Sequence, residues 1–316
     1  MVLKDRFGRP LLNLRIAITR HCDLRCQFCH MEGEGKPDDR LSREMTVEEI
    51  GRIAKIAADL GVAKVKLTGG EPLVRKDILE IVGRISSTRS LSDLSMTTNG
   101  ALLAPLAHEL HEHGLKRVNI SLPTLNAEVY HKLTGGRIEN VLRGVEAAVD
   151  VGFYPVKLNM LILKCVNNYE FPRMLRFAEE IGAILQLIEL EPVNINDEYY
   201  LANHKALDEY EGILRQKAVK VETRQFMQNR RIYNLPNVKV EVIHPTENTE
   251  FCRNCTRLRV TSDGKLKPCL MRNDNLVDIL TPMRNGAGDN EIAQLFELAN
   301  QNREPHNGIQ QQSVVI

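Results

Sequence analysis

The spacing of the thiols near the amino terminus constrains this chain more than any other feature. Three cysteines lie in the run Cys22-Asp-Leu-Arg-Cys26-Gln-Phe-Cys29. Thiolates at this spacing can bind three irons of a [4Fe-4S] cluster, whereas electron-transfer clusters use four cysteines. The run therefore predicts a cluster whose fourth iron binds another molecule. The alternative is a zinc site in which His21 or His30 supplies a fourth ligand.

The composition excludes several other kinds of protein. The chain has 316 residues, of which 43% are hydrophobic, and a net charge of +1. That length suffices for one large domain or a domain with an extension. A near-neutral chain has no general attraction to nucleic acid or a membrane, and no stretch resembles a membrane span or a signal peptide. Six of the seven cysteines fall into two close groups, which indicates metal ligands in a reducing cytoplasm rather than disulfides.

Strands alternate with helices along the first part of the chain. The predicted strands are residues 14–19, 63–68, 94–98, 117–122, 155–163 and 184–191, and each of the first five is followed by helical periodicity, for example over residues 101–113. This order is typical of a parallel α/β sheet with right-handed crossovers. Six units are fewer than the eight of a full TIM barrel. The sequence therefore predicts a partial, open (βα)6 TIM-like barrel of parallel strands.

Each predicted strand carries polar residues on one face near its carboxyl end. The apolar residues, such as Ile16/Ile18, Val65/Leu67, Val118/Ile120 and Ile188/Leu190, should face the helices. The polar residues should line a wet or ligand-filled cavity, because burying them without partners is costly; alternatively, they pair with one another. They are Arg15, Thr19, Lys66, Thr68, Ser95, Thr97, Asn119, Ser121, Lys157, Asn159, Glu189 and Glu191.

From about Asn194 the alternation stops, which predicts a division into residues 1–193 and 194–316. The second part contains a predicted helix over residues 203–219, strands over 220–223 and 237–243, and a short helix after Asp289. We expect this carboxy-terminal extension to bind a metal centre and to close the barrel. The seventh cysteine, Cys165, is expected to be a buried strand-end residue without a role.

A second group of thiols, Cys252, Cys255 and Cys269, lies in this extension. Asp263-Gly264 is typical of a hairpin turn, so strands over residues 256–262 and 265–270 should bring Cys269 back to the other two. For this group taken alone, zinc with His244 as the fourth ligand is a serious alternative.

The turn Gly69-Gly70-Glu71-Pro72 follows the second strand. Two glycines permit close approach of a backbone to a ligand, and the carbonyl groups there can accept hydrogen bonds. Together with both cysteine motifs and Arg257-Leu258-Arg259, this turn closely resembles the GTP 3′,8-cyclases, a family of radical S-adenosylmethionine enzymes. The resemblance extends from about Leu11 to Leu270.

The resemblance implies two [4Fe-4S] clusters, one on each cysteine group. S-adenosylmethionine would bind the open iron of the first cluster, and an electron from the cluster would release a 5′-deoxyadenosyl radical. The guanine of GTP would lie against the open iron of the second. The implied reaction converts GTP to (8S)-3′,8-cyclo-7,8-dihydroguanosine 5′-triphosphate, the first step of molybdenum cofactor biosynthesis.

The resemblance also implies roles for individual residues. Contacts with S-adenosylmethionine are implied for Phe28, Gly70, Ser121 and Glu191, with Asn99 near its carboxylate or ribose. Contacts with GTP are implied for Arg15, Lys66, Thr97, Lys157, Arg257, Leu258 and Arg259. Five of these residues are cations, and guanidinium and ammonium groups suit a triphosphate. No catalytic acid or base is assigned.

Three departures from the family pattern have consequences. Lys66 stands where arginine is usual, and Glu191 stands near a position where methionine commonly contacts S-adenosylmethionine. The family usually ends in Gly-Gly, whereas this chain ends in Ser313-Val-Val-Ile316. Two other hypotheses are a radical enzyme that modifies a peptide or another nucleotide, and a non-enzymatic iron–sulfur or zinc protein. The family further suggests a homodimer, a reductant of unknown identity and a downstream cyclic pyranopterin monophosphate synthase.

Overall fold

Strands and helices alternate through the first part of the chain as predicted. The computed structural model describes residues 2–34, 44–245 and 248–305. The first six strands are β1 (Asn13–Ala17), β2 (Lys64–Thr68), β3 (Asp93–Thr98), β4 (Arg117–Ser121), β5 (Lys157–Leu161) and β6 (Ile184–Ile188). The accompanying helices are α1 (Val47–Asp59), α2 (Ile78–Ser86), α3 (Ala107–Glu112), α4 (Ala127–Thr134), α5 (Ile138–Asp150) and α6 (Phe171–Glu180).

The second part of the chain adds further strands and short helices. The helices are α7 (Asp197–Asn203), α8 (Asp208–Lys217), α9 (Thr249–Arg253), α10 (Leu280–Arg284) and α11 (Asp289–Gln301). The strands are β7 (Lys220–Arg224), β8 (Arg230–Asn234), β9 (Lys239–Ile243), β10 (Arg257–Val260), β11 (Lys265–Lys267) and β12 (Val277–Asp278). None of the described helices has both the length and the apolar character needed to cross a membrane.

All twelve strands of the described residues belong to one sheet, in the order β12-β11-β10-β1-β2-β3-β4-β5-β6-β9-β8-β7. From β10 to β9 in this order, each strand runs parallel to its neighbour, and the strands outside them pair antiparallel. As far as the chain is described, the sheet is open, with β12 and β7 at its edges. The predicted partial barrel is confirmed, but β9 and β10 raise the number of parallel strands from six to eight.

Several boundaries differ from the predictions for physical reasons. Only α3 forms within residues 101–113, and the turns before it contain Pro105, which disfavours helix at the preceding residue. The helix predicted over residues 203–219 is confined to α8, because the backbone is extended at His204, and α7, which ends at Asn203, was not predicted. Strand β8 was not predicted. Cys165 is exposed rather than buried, because it lies in the loop after β5 ends at Leu161.

A local sequence signal starts the first helix as expected. The Thr46 hydroxyl accepts a hydrogen bond from the Glu49 N–H at 3.2 Å, and the Glu49 carboxylate accepts one from the Thr46 N–H at 2.8 Å. This reciprocal capping box satisfies two N–H groups that have no partner within the helix. The apolar side of α1, including Ile50 and Ile53, is then buried against the sheet.

A partly buried ionic network joins the carboxyl end of β6 to the elements that follow. The Glu189 carboxylate lies 2.7 Å from His204 Nε2 and 3.2 Å from His244 Nδ1. The other ring nitrogen of His244 lies 3.5 Å from Glu211 on α8. Glu211 also accepts a hydrogen bond from the Tyr233 hydroxyl of β8 at 2.8 Å. The network therefore holds α8 and β8 against the end of β6.

The packing of α5 gives a prediction about stability. A Cβ built on Gly144 would lie 2.2 Å from the main-chain oxygen of Gly100. We expect Gly144→Ala to displace α5 and lower the free energy of unfolding by about 1–3 kcal/mol, measured with denaturant. Gly212 in α8 is the matched control, because a Cβ there meets no atom within 4 Å. Gly212→Ala should leave stability unchanged or raise it by up to about 1 kcal/mol; equal losses in both variants would contradict the close packing of α5.

The ionic network predicts a pH dependence of stability. Burial opposes protonation of His244, but its bonds to Glu189 and Glu211 prevail and raise its pKa from 6.5 to about 9. A raised histidine pKa stabilises the fold fully below the unfolded value, and this stabilisation is lost as the pH rises through the folded value. The excess melting temperature of the wild type over His244→Gln should therefore shrink between pH 6.5 and about 9. His108→Gln is the control, because the His108 side chain is exposed. A difference in melting temperature between the wild type and His244→Gln that does not change with pH would count against the network.

Candidate functional site

One cavity of about 340 Å³ is lined by both cysteine groups, Cys22/Cys26/Cys29 and Cys252/Cys255/Cys269. The other predicted site residues that line it are Arg15, Phe28, Lys66, Gly70, Thr97, Ser121, Lys157, Glu191, Arg257 and Arg259. Leu258 is the exception, because it is fully buried in the hydrophobic core. Successive residues of a strand point to opposite faces, so Arg257 and Arg259 share one side of β10 and Leu258 takes the other.

Most of the polar residues at the strand ends also line this cavity, and Thr19 and Ser95 do not. Thr19 instead donates a hydrogen bond to the Glu44 carboxylate, and Ser95 donates one to the main-chain oxygen of Val65 at 3.4 Å. For these two residues, the alternative that polar groups pair within the protein is correct.

The two faces of β6 are reversed relative to the prediction. Leu185 and Leu187 are buried in the core, whereas Gln186 and Ile188 line the cavity. The chain leaves the strand after Ile188, so that both Glu189 and Leu190 reach the cavity. The predicted alternation failed here because it extended the strand three residues too far.

The glycines after β2 bring the first cysteine loop against the sheet. The Gly70 N–H donates to Thr19 O at 2.8 Å, and the Glu71 N–H donates to His21 O at 2.8 Å. A Cβ on Gly69 would lie 2.3 Å from Thr19 O, and one on Gly70 would lie 2.2 Å from His21 O. Glycine is therefore required at residues 69 and 70 because their backbone packs directly against the main chain of Thr19 and His21, which leads into the cysteine loop.

The buried side chain of Glu71 links this turn to the end of β3 through hydrogen bonds. Its carboxylate accepts hydrogen bonds from Thr98 Oγ1 at 2.7 Å and from the N–H groups of Asn99 at 2.6 Å and Leu73 at 3.1 Å. Burial nevertheless raises the pKa of Glu71 to about 7 against these bonds. The Asn99 side chain in turn donates to the Asp23 carboxylate at 2.7 Å. Asn99 thus fixes the cysteine loop, a contact that the sequence did not predict.

The thiols of the first group face the cavity without disulfide partners. Burial raises the pKa of the Cys22 thiol to about 11 and that of Cys26 to about 12. Main-chain N–H groups of Leu24 and Met31 lie 3.4 Å from the sulfurs of Cys22 and Cys29. Since metals bind thiolates, a cluster bound here would displace these protons.

A row of cations crosses three adjacent strands at the cavity. Arg259 of β10 is in register with Arg15 of β1, and Arg15 is in register with Lys66 of β2. Glu32 lies against this row: its carboxylate is 2.6 Å from Arg259, 3.2 Å from Arg15 and 2.7 Å from the Thr68 hydroxyl. Burial opposes ionisation of Glu32, but the two guanidinium groups hold its pKa well below the usual range. Glu32 is a site residue that the sequence reasoning missed.

A second group of cations surrounds Glu241 of β9. The carboxylate of Glu241 contacts the Lys157 ammonium group and the Gln186 amide, and lies 2.9 Å from Arg224 and 3.9 Å from Arg230. Burial opposes its ionisation, but these cations lower its pKa well below the usual range. A carboxylate inside the otherwise apolar run Val240-Glu-Val-Ile243 could have indicated this role from the sequence. Arg230 was missed because β8 was not predicted, and Arg224 was missed because the strand predicted over residues 220–223 ended one residue before it.

Burial and mutual repulsion leave some cations in unfavourable surroundings. Burial, followed by repulsion from Arg117 and Arg15, holds the Lys66 pKa well below its ordinary value, although Lys66 Nζ donates to Asn119 at 2.8 Å. The pKa of Arg257 is lowered in the same way, by burial and then by Arg15 and Arg259. An anion bound among these groups would relieve the repulsion.

Several buried polar atoms on residues lining the cavity have no hydrogen-bond partner within the protein. They are Arg9 Nη2, Arg15 Nε, Asn159 Oδ1, Glu191 Oε2 and Arg230 Nε. An unsatisfied buried polar atom costs about 1–3 kcal/mol, so these donors and acceptors fit a polar ligand. Together with two sets of three free thiols, they form a donor set suited to clusters and charged small molecules.

The second cysteine group reaches the cavity through the predicted hairpin. Strands β10 and β11 pair antiparallel around Asp263-Gly264 and return the chain to Cys269. His244, the alternative zinc ligand, does not line the cavity, because its two ring nitrogens face Glu189 and Glu211. Of the histidines proposed for the first group, His30 lines the cavity, whereas His21 does not.

Two family models match successive parts of the chain. The radical SAM superfamily matches residues 16–178, and a family described as Molybdenum Cofactor Synthesis C matches residues 183–309. The “Probable GTP 3′,8-cyclase” of Methanocaldococcus jannaschii is 47% identical over 305 residues, covering 96% of this chain and 99% of that protein. The protein of the same name from Thermococcus kodakarensis is 49% identical over 312 residues, with the same coverage of both chains.

Solved structures with this fold are more distant in sequence. SuiB of Streptococcus suis bound to S-adenosylmethionine superposes with a TM-score of 0.63 at 20% identity, over 84% of this chain and 62% of SuiB. The anSMEcpe structure with bound AdoMet has a TM-score of 0.58 at 17% identity, over 89% of this chain and 82% of that one. These similarities concern the fold. The nearly full-length sequence identities establish that this chain belongs to the GTP 3′,8-cyclase family of radical S-adenosylmethionine enzymes.

Proposed function

We propose that this protein converts GTP to (8S)-3′,8-cyclo-7,8-dihydroguanosine 5′-triphosphate, the first step of molybdenum cofactor biosynthesis. The observation that carries the proposal is that both cysteine groups and two groups of cations line one cavity. The names of the relatives support it, since they match nearly the whole chain.

Cys22, Cys26 and Cys29 would hold one [4Fe-4S] cluster, and Cys252, Cys255 and Cys269 a second. When bound, the first cluster supplies the electron that cleaves S-adenosylmethionine. The main chain at Gly70, the Ser121 hydroxyl and the Phe28 ring would position that molecule. Glu191 would use its free Oε2 to accept a hydrogen bond from it, which the methionine usual at this place does poorly.

The triphosphate of GTP would lie among the cations. Arg259, Arg15 and Lys66 form a row across adjacent strands, and Lys157, Arg224 and Arg230 surround Glu241. Phosphate oxygens would replace Glu32 and Glu241 as partners of some of these groups and would relieve the repulsion among the rest. Thr97 and Arg257 line the same cavity and would contact the nucleoside.

The two predicted domains would have different binding roles. Residues 1–193 would bind S-adenosylmethionine, and residues 194–316 would carry the second cluster and cover the cavity. A reductant, a cytoplasmic location, a homodimer and a downstream cyclic pyranopterin monophosphate synthase stay predictions. The residues that end this chain in Ser313-Val-Val-Ile316 lie outside the described residues.

Anaerobic reconstitution tests the proposal directly. The protein should contain about eight irons, two clusters of four, and should release 5′-deoxyadenosine from S-adenosylmethionine only when GTP is present. Substituting alanine for Cys22, Cys26 and Cys29 should remove about four irons and abolish 5′-deoxyadenosine release. Substituting alanine for Cys252, Cys255 and Cys269 should remove the other four, about half of the total.

Two outcomes of this assay would overturn the proposal in different ways. Release of 5′-deoxyadenosine regardless of GTP would favour an enzyme that modifies a peptide or another nucleotide. Zinc without iron would mean that the cysteines do not hold clusters.

The hairpin β7–β8 offers a matched pair of arginines for testing the triphosphate contacts. Arg230 lines the cavity with its side chain 11% exposed, whereas the next residue, Arg231, is 49% exposed and pairs with Glu211. Losing a charge-assisted hydrogen bond costs about 1.5–3 kcal/mol, so Arg230→Gln should weaken GTP binding by about tenfold or more. Arg231→Gln should change it less than about twofold. Calorimetric titration of the reconstituted proteins measures both; equal effects would exclude Arg230 from the site.

A further inference from the structure

We propose that Arg9 and Arg303, from opposite ends of the chain, are positioning residues for the second cluster. The inference rests on the proposed cluster at Cys252, Cys255 and Cys269. Both arginines are buried, with 7% and 2% of their surface exposed, and both line the cavity. They were not among the residues that the sequence indicated.

Arg9 is held by a turn at the amino terminus. The Asp5 carboxylate accepts hydrogen bonds from the N–H groups of Phe7 at 3.0 Å and Arg9 at 2.9 Å, and from Arg9 Nε at 2.7 Å. Gly8 between them has a positive φ of 78°, which glycine adopts without strain. The hydrogen bonds to Asp5 therefore fix the position of the Arg9 guanidinium group within this turn.

From this turn, Arg9 reaches the second cysteine group. Its Nη1 donates to Cys252 O at 2.7 Å and to Glu304 O at 2.9 Å. Its Nη2 is buried without a protein partner, on a residue that lines the cavity. One side chain thus joins the amino-terminal turn, a cysteine of the second group and the segment after α11.

Arg303 makes the corresponding contact with the next cysteine of the group. Its Nη2 donates to Cys255 O, and its Nη1 donates to Asn300 Oδ1 at 3.0 Å and lies 3.5 Å from Asp5. The main-chain oxygens of Cys252 and Cys255 are therefore each held by a buried guanidinium group. Asp5 lies between the two arginines and neutralises only one of their two charges.

This arrangement has two physical consequences for a cluster bound there. The bonds to both carbonyl oxygens fix the last turn of α9 and the loop after it, which present Cys252 and Cys255. The net positive charge beside the loop stabilises the more negative, reduced form of a thiolate-bound cluster, as outer hydrogen bonds and charges do at other metal centres. A purely structural tether would have only the first consequence.

The test uses the full chain with alanine at Cys22, Cys26 and Cys29, so that only the second cluster is assembled. Arg9→Met and Arg303→Met should each make cluster loss to a chelator about tenfold faster, the lower range for outer-shell changes. Each should also shift the midpoint potential, followed by electron paramagnetic resonance, to more negative values. Arg9→Lys keeps the charge and loses the fork, so it should speed cluster loss while leaving the potential nearer the wild-type value.

Lys4→Met is the matched control, because Lys4 belongs to the same amino-terminal segment as Arg9 and is exposed. It should change neither the rate of cluster loss nor the potential. If the Arg9→Met and Arg303→Met proteins fold and show unchanged cluster retention and potential, the inference about the arginines is overturned, while the proposed second cluster stands. Absence of iron from the three-alanine protein before any arginine is changed would overturn the proposed second cluster, and the inference with it.

Discussion

The repulsion among buried cations is the constraint on which the rest of the cavity depends. Ten lysine and arginine side chains line it, against five glutamates among the described lining residues. Glu32 holds the row on β10 and β1, and Glu241 holds the group contributed by β5, β7 and β8. Removing one partner of a buried ion pair is costly because the other charge is left uncompensated. The two carboxylates therefore compensate the buried cations that face them.

A second constraint is the close contact of the first cysteine loop with the end of β2. Gly69 and Gly70 leave no room for a side chain next to the main chain of Thr19 and His21. The glycine turn thus serves the placement of the thiols, in addition to any contact with a ligand. Glu71 continues this arrangement inwards, because its buried carboxylate joins the turn to the end of β3.

Two residues that were expected to depart from the family pattern, Lys66 and Glu191, have distinct surroundings in the cavity. Lys66, where arginine was expected, donates a hydrogen bond to Asn119, so a single donor suffices to hold this side chain in the row. Glu191 leaves one oxygen buried without a partner on a residue lining the cavity. The carboxylate of Glu191 thus supplies an unused hydrogen-bond acceptor at the cavity.

The sequence by itself determined the two thiol groups, the alternation of strands and helices, and most of the polar residues of the cavity, because these depend on local spacing and on the two-residue period of a strand. The tertiary structure decided which distant strands became neighbours. Pairing of β10 with β1 and of β9 with β6 brings Arg259 beside Arg15 and Glu241 beside Gln186. The tertiary structure also ended β6 at Ile188, so that Gln186 and Ile188 face the cavity and not the residues predicted from the sequence pattern, because the end of a strand depends on its neighbours. Such pairings join residues more than 50 positions apart, and no local pattern encodes them.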